Sequence, residues 1–220
     1  MGFLKKFTKQ EISWMMYDWA NSAHSVIVVT ILPIFFDSVA SCTADRVSSM
    51  STWGYATSIA MAIVALAAPF LGVFGDIRGM RKKLFTAFLL LGVVSVAGLA
   101  FTPLMDFTSS TAAAGKVAML VLVLYILSTI GFDASCIYYD AFLTDVTTED
   151  RMDSVSTLGY GLGYIGGSTI PLLIFLIMNA VGVPMLTSLA IIFAITAVWW
   201  LVFSLPLLKN CEQTTGKPYE

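Results

Sequence analysis

The chain has 220 residues, 58% of them hydrophobic and 12% charged, with a mean hydropathy of +0.85 and a formal net charge of −2. Soluble domains average roughly 45–50% apolar residues, so an ordinary soluble fold is excluded, and without a basic excess or a run of like charge no nucleic-acid partner is expected. Cys42, Cys136 and Cys211 lie far apart and the single histidine is His24, so no zinc site forms on ligand spacing, and neither metal nor cofactor is expected.

Apolar stretches of about 20 residues, each long enough to cross about 30 Å of hydrocarbon as a helix, recur along the chain. The first, Ile12 to Phe36, follows Lys5, Lys6 and Lys9. Val39-Ala40-Ser41-Cys42 has the look of a lipoprotein cleavage box. The apolar run, however, exceeds the 7–15 residues of a signal h-region and carries Asp18 and Asn21 inside it, so it reads as a retained helix. Asp18, Asn21, Ser22 and Ser25 fall on one helical face.

The second and third segments run from Trp53 to Gly75 and from Leu84 to Leu104. Between them lies Gly72-Val73-Phe74-Gly75-Asp76-Ile77-Arg78-Gly79-Met80-Arg81-Lys82-Lys83. Gly79 permits a tight turn, Asp76 can cap or pair at a helix end, and the basic cluster marks a cytoplasmic loop. The fourth segment, Val117 to Tyr139, carries Tyr125, Thr129, Asp133, Cys136 and Asp140 at three- or four-residue steps. The fifth, Val155 to Ala180, places Gly159, Gly163 and Gly166 or Gly167 on one face, a pattern that lets another helix approach closely. The sixth runs from Met185 to Leu207.

With the N-terminus inside, ten of the twelve Lys and Arg residues fall in the cytoplasm, leaving Arg46 and Lys116 outside; both termini are therefore expected to be cytoplasmic. Residues 1–208 form one six-helix bundle surrounded by membrane lipid, and residues 209–220 begin a cytoplasmic loop or tail. An ionisable residue in hydrocarbon is a functional candidate by default. Asp18 and Asp133 both sit one to two turns from the expected cytoplasmic end, so their depths should match, and a proton is a candidate coupled ion. His24, one turn after Asn21, reads as a hydrogen-bonded interior histidine. Trp14, Trp53, Trp199 and Trp200 suit the interfacial belt. With neither a nucleophile and base pair nor a metal-ligand cluster in the membrane segments, an enzyme is not expected.

The spacing Gly-x-x-x-Asp-x-x-Gly-x-Arg over Gly72, Asp76, Gly79 and Arg81, with Arg78 inside it, resembles the signature loop of the major facilitator superfamily. Tyr17-Asp18-Trp19-Ala20-Asn21-Ser22-Ala23, Tyr139-Asp140-Ala141-Phe142-Leu143 and the run from Gly159 to Gly167 are similar to the vacuole effluxer family and its bacterial relatives, in order from Ile12 to about Leu208. The resemblance implies an all-α membrane fold of two inverted three-helix repeats, one half of a twelve-helix transporter. It implies alternating access for a small polar solute, amino acids being the class suggested. In such repeats the first and fourth helices line the cavity, which makes Asp18, Asn21, Ser22, Ser25, Thr129, Asp133 and Asp140 the candidate pathway.

In the family the signature loop latches the cytoplasmic side, so Arg78 or Arg81 is expected to meet Asp140 or Asp145 as a rim pair of about 0–1 kcal/mol. A second six-helix half is the implied partner. A truncated chain, a fragment and a half-size protein that dimerises would all give this sequence; truncation is the expectation, and a non-transporting membrane scaffold or regulatory module is the rival reading. Short loops point to a bacterial inner membrane, with a vacuolar-type membrane as the alternative.

Overall fold

A computed structural model describes residues 6–43 and 46–218; Lys5, counted above among the cytoplasmic charges, and Tyr219 and Glu220 of the expected loop lie outside the described residues. Six helices are each long and apolar enough to cross a membrane. They are α1 (Lys9–Ala40), α2 (Arg46–Gly75), α3 (Arg81–Leu99), α4 (Thr111–Val146), α5 (Glu149–Ala180) and α6 (Met185–Asn210). Among the described residues there is no strand beyond one isolated backbone bridge, Ile77 to Lys217. The protein is thus an all-α, multi-pass integral membrane protein.

Most helices overrun the apolar segments from which they were predicted, because polar residues cap and extend them. At the start of α1 a capping box closes on itself: the Thr8 hydroxyl accepts from the Glu11 N–H at 3.2 Å, and the Glu11 carboxylate accepts from the Thr8 N–H at 2.7 Å. Ser110 caps α4 in the same sense, accepting from the Ala113 N–H. At the other end α4 runs seven residues beyond Tyr139, to Val146. A break at Ile31 interrupts α1 just before Pro33, whose ring cannot donate back along the ladder. Gly79 and Gly182, at φ of 81° and 84°, form the turns into α3 and α6 in the left-handed region that favours glycine.

The packing is paired. α1 lies against α5 and α6, α4 lies against α2 and α3, and α3 meets α6. Exchanging α1 with α4, α2 with α5 and α3 with α6 reproduces this set of neighbours, and three crossings reverse the direction of the second trio. That is the arrangement of an inverted repeat. Close crossings depend on glycine: a Cβ at Gly131 of α4 would fall 2.5 Å from the Gly92 nitrogen of α3.

Two apolar cores occupy the two ends of the bundle. One gathers Ile27, Leu32, Phe35, Phe36, Val121 and Phe193; the other gathers Trp14, Tyr17, Phe85, Tyr138, Phe142 and Trp200. The second lies at the basic end, which carries the α2–α3 turn. Trp14 and Trp200, expected in the interfacial belt, are only 3% and 0% exposed and belong to this core. Trp200 fits there because its ring covers Gly92, where a Cβ would come within 2.3 Å. On α1 the two cores are separated by the polar stretch from Asn21 to Ser25. α2 is the least covered helix, with 11% of its most apolar stretch buried against 56% for α1, and α5 follows at 28%.

Candidate functional site

The antiparallel register of α1 and α4 sets the site. Tyr139 donates its hydroxyl to Asp18 Oδ2 at 2.9 Å, and Asn21 Nδ2 approaches Cys136 Sγ at 3.8 Å. With 18 beside 139 and 21 beside 136, Asp133 stands level with His24. It therefore lies six residues, about 9 Å, deeper than Asp18. The equal depth expected of the two carboxylates does not hold, because α4 extends further past Tyr139 than its apolar run indicated.

A cavity of about 340 Å³ lies between α1, α4 and α5. α1 contributes Trp14, Asp18, Asn21, Ser22 and Ser25, and α4 contributes Phe132, Cys136, Tyr139 and Asp140. The α5 wall is hydroxyl-rich: Ser156, Tyr160, Tyr164 and Ser168. Ser25, Asp140, Tyr160 and Tyr164 remain exposed, so the cavity is open to the side. A second cavity of about 330 Å³ lies deeper between α1, α2 and α4, lined by His24, Trp53, Thr57, Tyr125, Thr129 and Asp133 among others. The two share Ser25 and Phe132. The stripe read on α4 is thus divided: Cys136 and Asp140 face the first cavity, while Tyr125, Thr129 and Asp133 face the second. Three carboxylates and no Lys or Arg line the two cavities among the described residues.

His24 is interior, 3% exposed, but it is not hydrogen-bonded. Its ring stacks on Phe132 at 4.8 Å and tilts against Trp200 at 4.8 Å, and neither ring nitrogen has a hydrogen-bond partner among the described residues. Asn21, its expected neighbour, turns instead toward Cys136.

The glycine face of α5 packs on α1 alongside the first cavity. A Cβ at Gly159 would lie 2.9 Å from Asp18 Oδ2, at Gly163 2.7 Å from Ser22 Oγ, at Gly166 1.9 Å from the Trp19 ring, and at Gly167 2.5 Å from the Trp19 carbonyl. Both alternatives left open on this face, Gly166 and Gly167, are therefore in contact with α1. Between Gly163 and Ser168 the helix widens into a π turn, a local feature frequent at functional sites. Sequence reasoning named neither this turn nor the α5 hydroxyls. Tyr160 and Tyr164 each follow a glycine of the packed face by one position, which was the available signal.

At the basic end Gly72 has open space around it, Asp76 and Arg78 are exposed, and Arg81 is 4% exposed. Arg81 donates to the Asp145 carboxylate and, at 2.9 Å, to the Ala141 carbonyl; it also lies 3.7 Å from Asp76. Of the alternatives the pair is Arg81 with Asp145: among the described residues Arg78 bonds only through its backbone, and Asp140 faces the cavity. It is not a rim pair. The two side chains are 5% and 0% exposed.

A second ionic contact was not anticipated. Glu11, 1% exposed, accepts from Arg151 Nε and Nη2, both at 2.9 Å, and from the Thr147 hydroxyl at 2.7 Å, clamping the start of α1 to the start of α5.

The sequence profile of the family described as "Vacuole effluxer Atg22 like" matches residues 42–220. A protein of Bacillus subtilis (strain 168), described as "Uncharacterized MFS-type transporter YxiO", is 42% identical over 218 residues, which cover 96% of this chain and 48% of the relative. The chain therefore spans about half the length of that curated relative. No solved structure matches. Family and relative are described as an effluxer and a transporter, not as enzymes. Profile, identity and the paired six-helix packing agree, and the chain belongs to the vacuole effluxer Atg22-like family.

Proposed function

We propose that this chain forms one half of a secondary transporter that moves a small polar solute, with amino acids as the first class to test, by alternating access. The observation that carries the reading is the laterally open cavity between α1, α4 and α5, in which Asp18, Asn21, Ser22, Ser25 and Asp140 converge. Such a cavity needs a cover. α5, which walls it, and α2, which walls the deeper cavity, are the two least buried helices, and a second six-helix half laid on them would cover both. The length of the Bacillus relative leaves room for that half.

The lining chemistry narrows the solute. With two carboxylates in this cavity, a third in the deeper one and no lysine or arginine in either, these walls suit a group that donates hydrogen bonds and carries positive charge, such as an ammonium. A proton carried on Asp18 or Asp133 is the proposed coupled ion, and the basic end is the proposed cytoplasmic face, on the ten-to-two charge split.

Proteoliposomes test this. The chain alone, and the chain joined to the second half of the Bacillus relative, are assayed for uptake of labelled amino acids with and without a pH gradient. Uptake by the joined form alone is the expected result. Uptake by the chain alone identifies a homodimer, and failure of both forms across neutral, basic and acidic amino acids overturns the solute class. If Asp18→Asn and Asp133→Asn each leave gradient-driven uptake intact, neither carboxylate carries the proton.

A further inference from the structure

The chain does not leave the bundle after α6 but turns back across its basic end. At the root, the Cys211 thiol is fully buried and donates to the Gln10 carbonyl at 3.6 Å. Gln213 then spans the signature turn: Nε2 donates to the Gly75 carbonyl at 3.1 Å, and Oε1 accepts from the Gly79 and Arg81 N–H groups at 2.8 and 3.3 Å. Thr214 and Thr215 each give both an N–H and a hydroxyl to Asp145 Oδ1, at 2.9–3.0 Å, while Oδ2 takes Arg81. Gly216, at φ of 133°, brings its backbone to the Asp76 carbonyl, and Lys217 closes a two-bond bridge with Asp76 and Arg78 at 2.9 Å each.

Asp145 therefore has two clients. Its charge orients Arg81 at the start of α3, and its second oxygen is a four-donor anchor for the returning chain. The segment ties together the end of α2, the start of α3 and the end of α4, although it continues directly from α6. Among the described residues beyond Cys211 no apolar side chain is buried, and residues 214–218 stay exposed, so water can replace the strap's bonds as it lifts.

We propose that residues 212–218 are a releasable strap, which when docked holds the α2–α3 signature turn and the Arg81–Asp145 pair in one arrangement. Lifting the strap frees the turn to move and bares Asp145. The chain beyond α6 thereby gains mechanical access to the turn. The inference stands whichever solute is carried.

The test uses the full chain in membranes, with Cys42→Ser and Cys136→Ala leaving Cys211 as the native thiol. Burial pushes that thiol up to about 12, so it is inert while the strap is docked. Ile77→Cys and Lys217→Cys, placed on the bridged pair, are oxidised with copper phenanthroline to lock the strap, and Cys211 is then labelled with a maleimide. We expect rapid cross-linking, labelling at least tenfold slower in the locked form than in the same protein left reduced with its two added thiols blocked, and faster labelling in Thr214→Val/Thr215→Val. That double variant spares the Arg81–Asp145 pair, and size-exclusion profiles confirm its fold. Absence of the cross-link shows that the strap does not dock as described. Equal labelling of locked and unlocked forms shows that it never lifts. Either result overturns the proposal.

Discussion

Gly167→Ala should loosen the contact between α1 and α5 that bounds the candidate cavity. The added Cβ would lie 2.5 Å from the Trp19 carbonyl oxygen, 2.9 Å from Ser22 Cβ and 3.1 Å from the Trp19 carbonyl carbon. Comfortable separations are about 3.5–4 Å, and two of the three atoms are backbone that no rotamer change can move. The helices must part by roughly 1 Å, and overpacking of this kind costs about 1–3 kcal/mol. The Ser168 hydroxyl, which donates to the Ser22 carbonyl at 3.3 Å, would lose its partner as they separate. Gly161 supplies the internal control. It lies on the same helix with nothing within 4 Å of its hypothetical Cβ, so Gly161→Ala should gain about 0.5–1 kcal/mol from the better helix former. The two variants should therefore differ by roughly 1.5–4 kcal/mol, or about 3–16 °C in apparent melting temperature for a chain of this size, read by thermal unfolding in detergent micelles. If Gly167→Ala melts at or above Gly161→Ala, the glycine face is not what sets the α1–α5 distance.

Two further perturbations separate structural from site roles. Arg151→Ala leaves Glu11 buried with the Thr8 N–H and Thr147 hydroxyl as remaining donors; because Arg151 is itself 39% exposed, a loss of about 1.5–3 kcal/mol is expected. A double-mutant cycle with Glu11→Ala should return a coupling of at least about 1 kcal/mol in thermal unfolding, and additive single effects would show that the clamp contributes nothing. Tyr139→Phe removes the hydrogen bond to Asp18 but keeps the ring stacked 4.2 Å from Trp14. Melting should be unchanged while the apparent KM for uptake rises about tenfold; an unaltered KM in a protein whose uptake is abolished by Asp18→Asn would show that Tyr139 does not position the carboxylate.

Much of the membrane architecture was legible because the bilayer imposes one length on every crossing, and six apolar runs of that length are visible without any tertiary information. Helix ends were less so: Thr8, Ser110 and the residues from Asp140 to Val146 extend or cap helices through polar groups that hydropathy reads as loop. That error propagated to the site, since counting Asp133 from a premature end of α4 placed it beside Asp18 rather than beside His24. The polar face of α1 survived because residues at three- and four-residue steps share a face whatever the helix ends do. What stayed hidden rests on distant pairs. Nothing near Glu11 announces Arg151, and nothing near Trp200 announces that Gly92 clears a place for its ring.

These distant pairs also bear on how the proposed half-transporter would move. At the basic end Glu11 with Arg151 joins α1 to α5, and Arg81 with Asp145 joins α3 to α4. The Gly131–Gly92 and Gly167–Trp19 contacts bring backbone against backbone within the same two helix pairs. Each pair is thus fixed by an ion pair at one end and by a close crossing further along, which leaves little freedom for α1 to slide on α5 or for α3 to slide on α4. In the proposed cycle, access to the cavity would therefore change by displacing the second half over α2 and α5 rather than by sliding within these two helix pairs. The α2–α3 turn is the exception, since its contacts to residues 213–217 are polar and exposed.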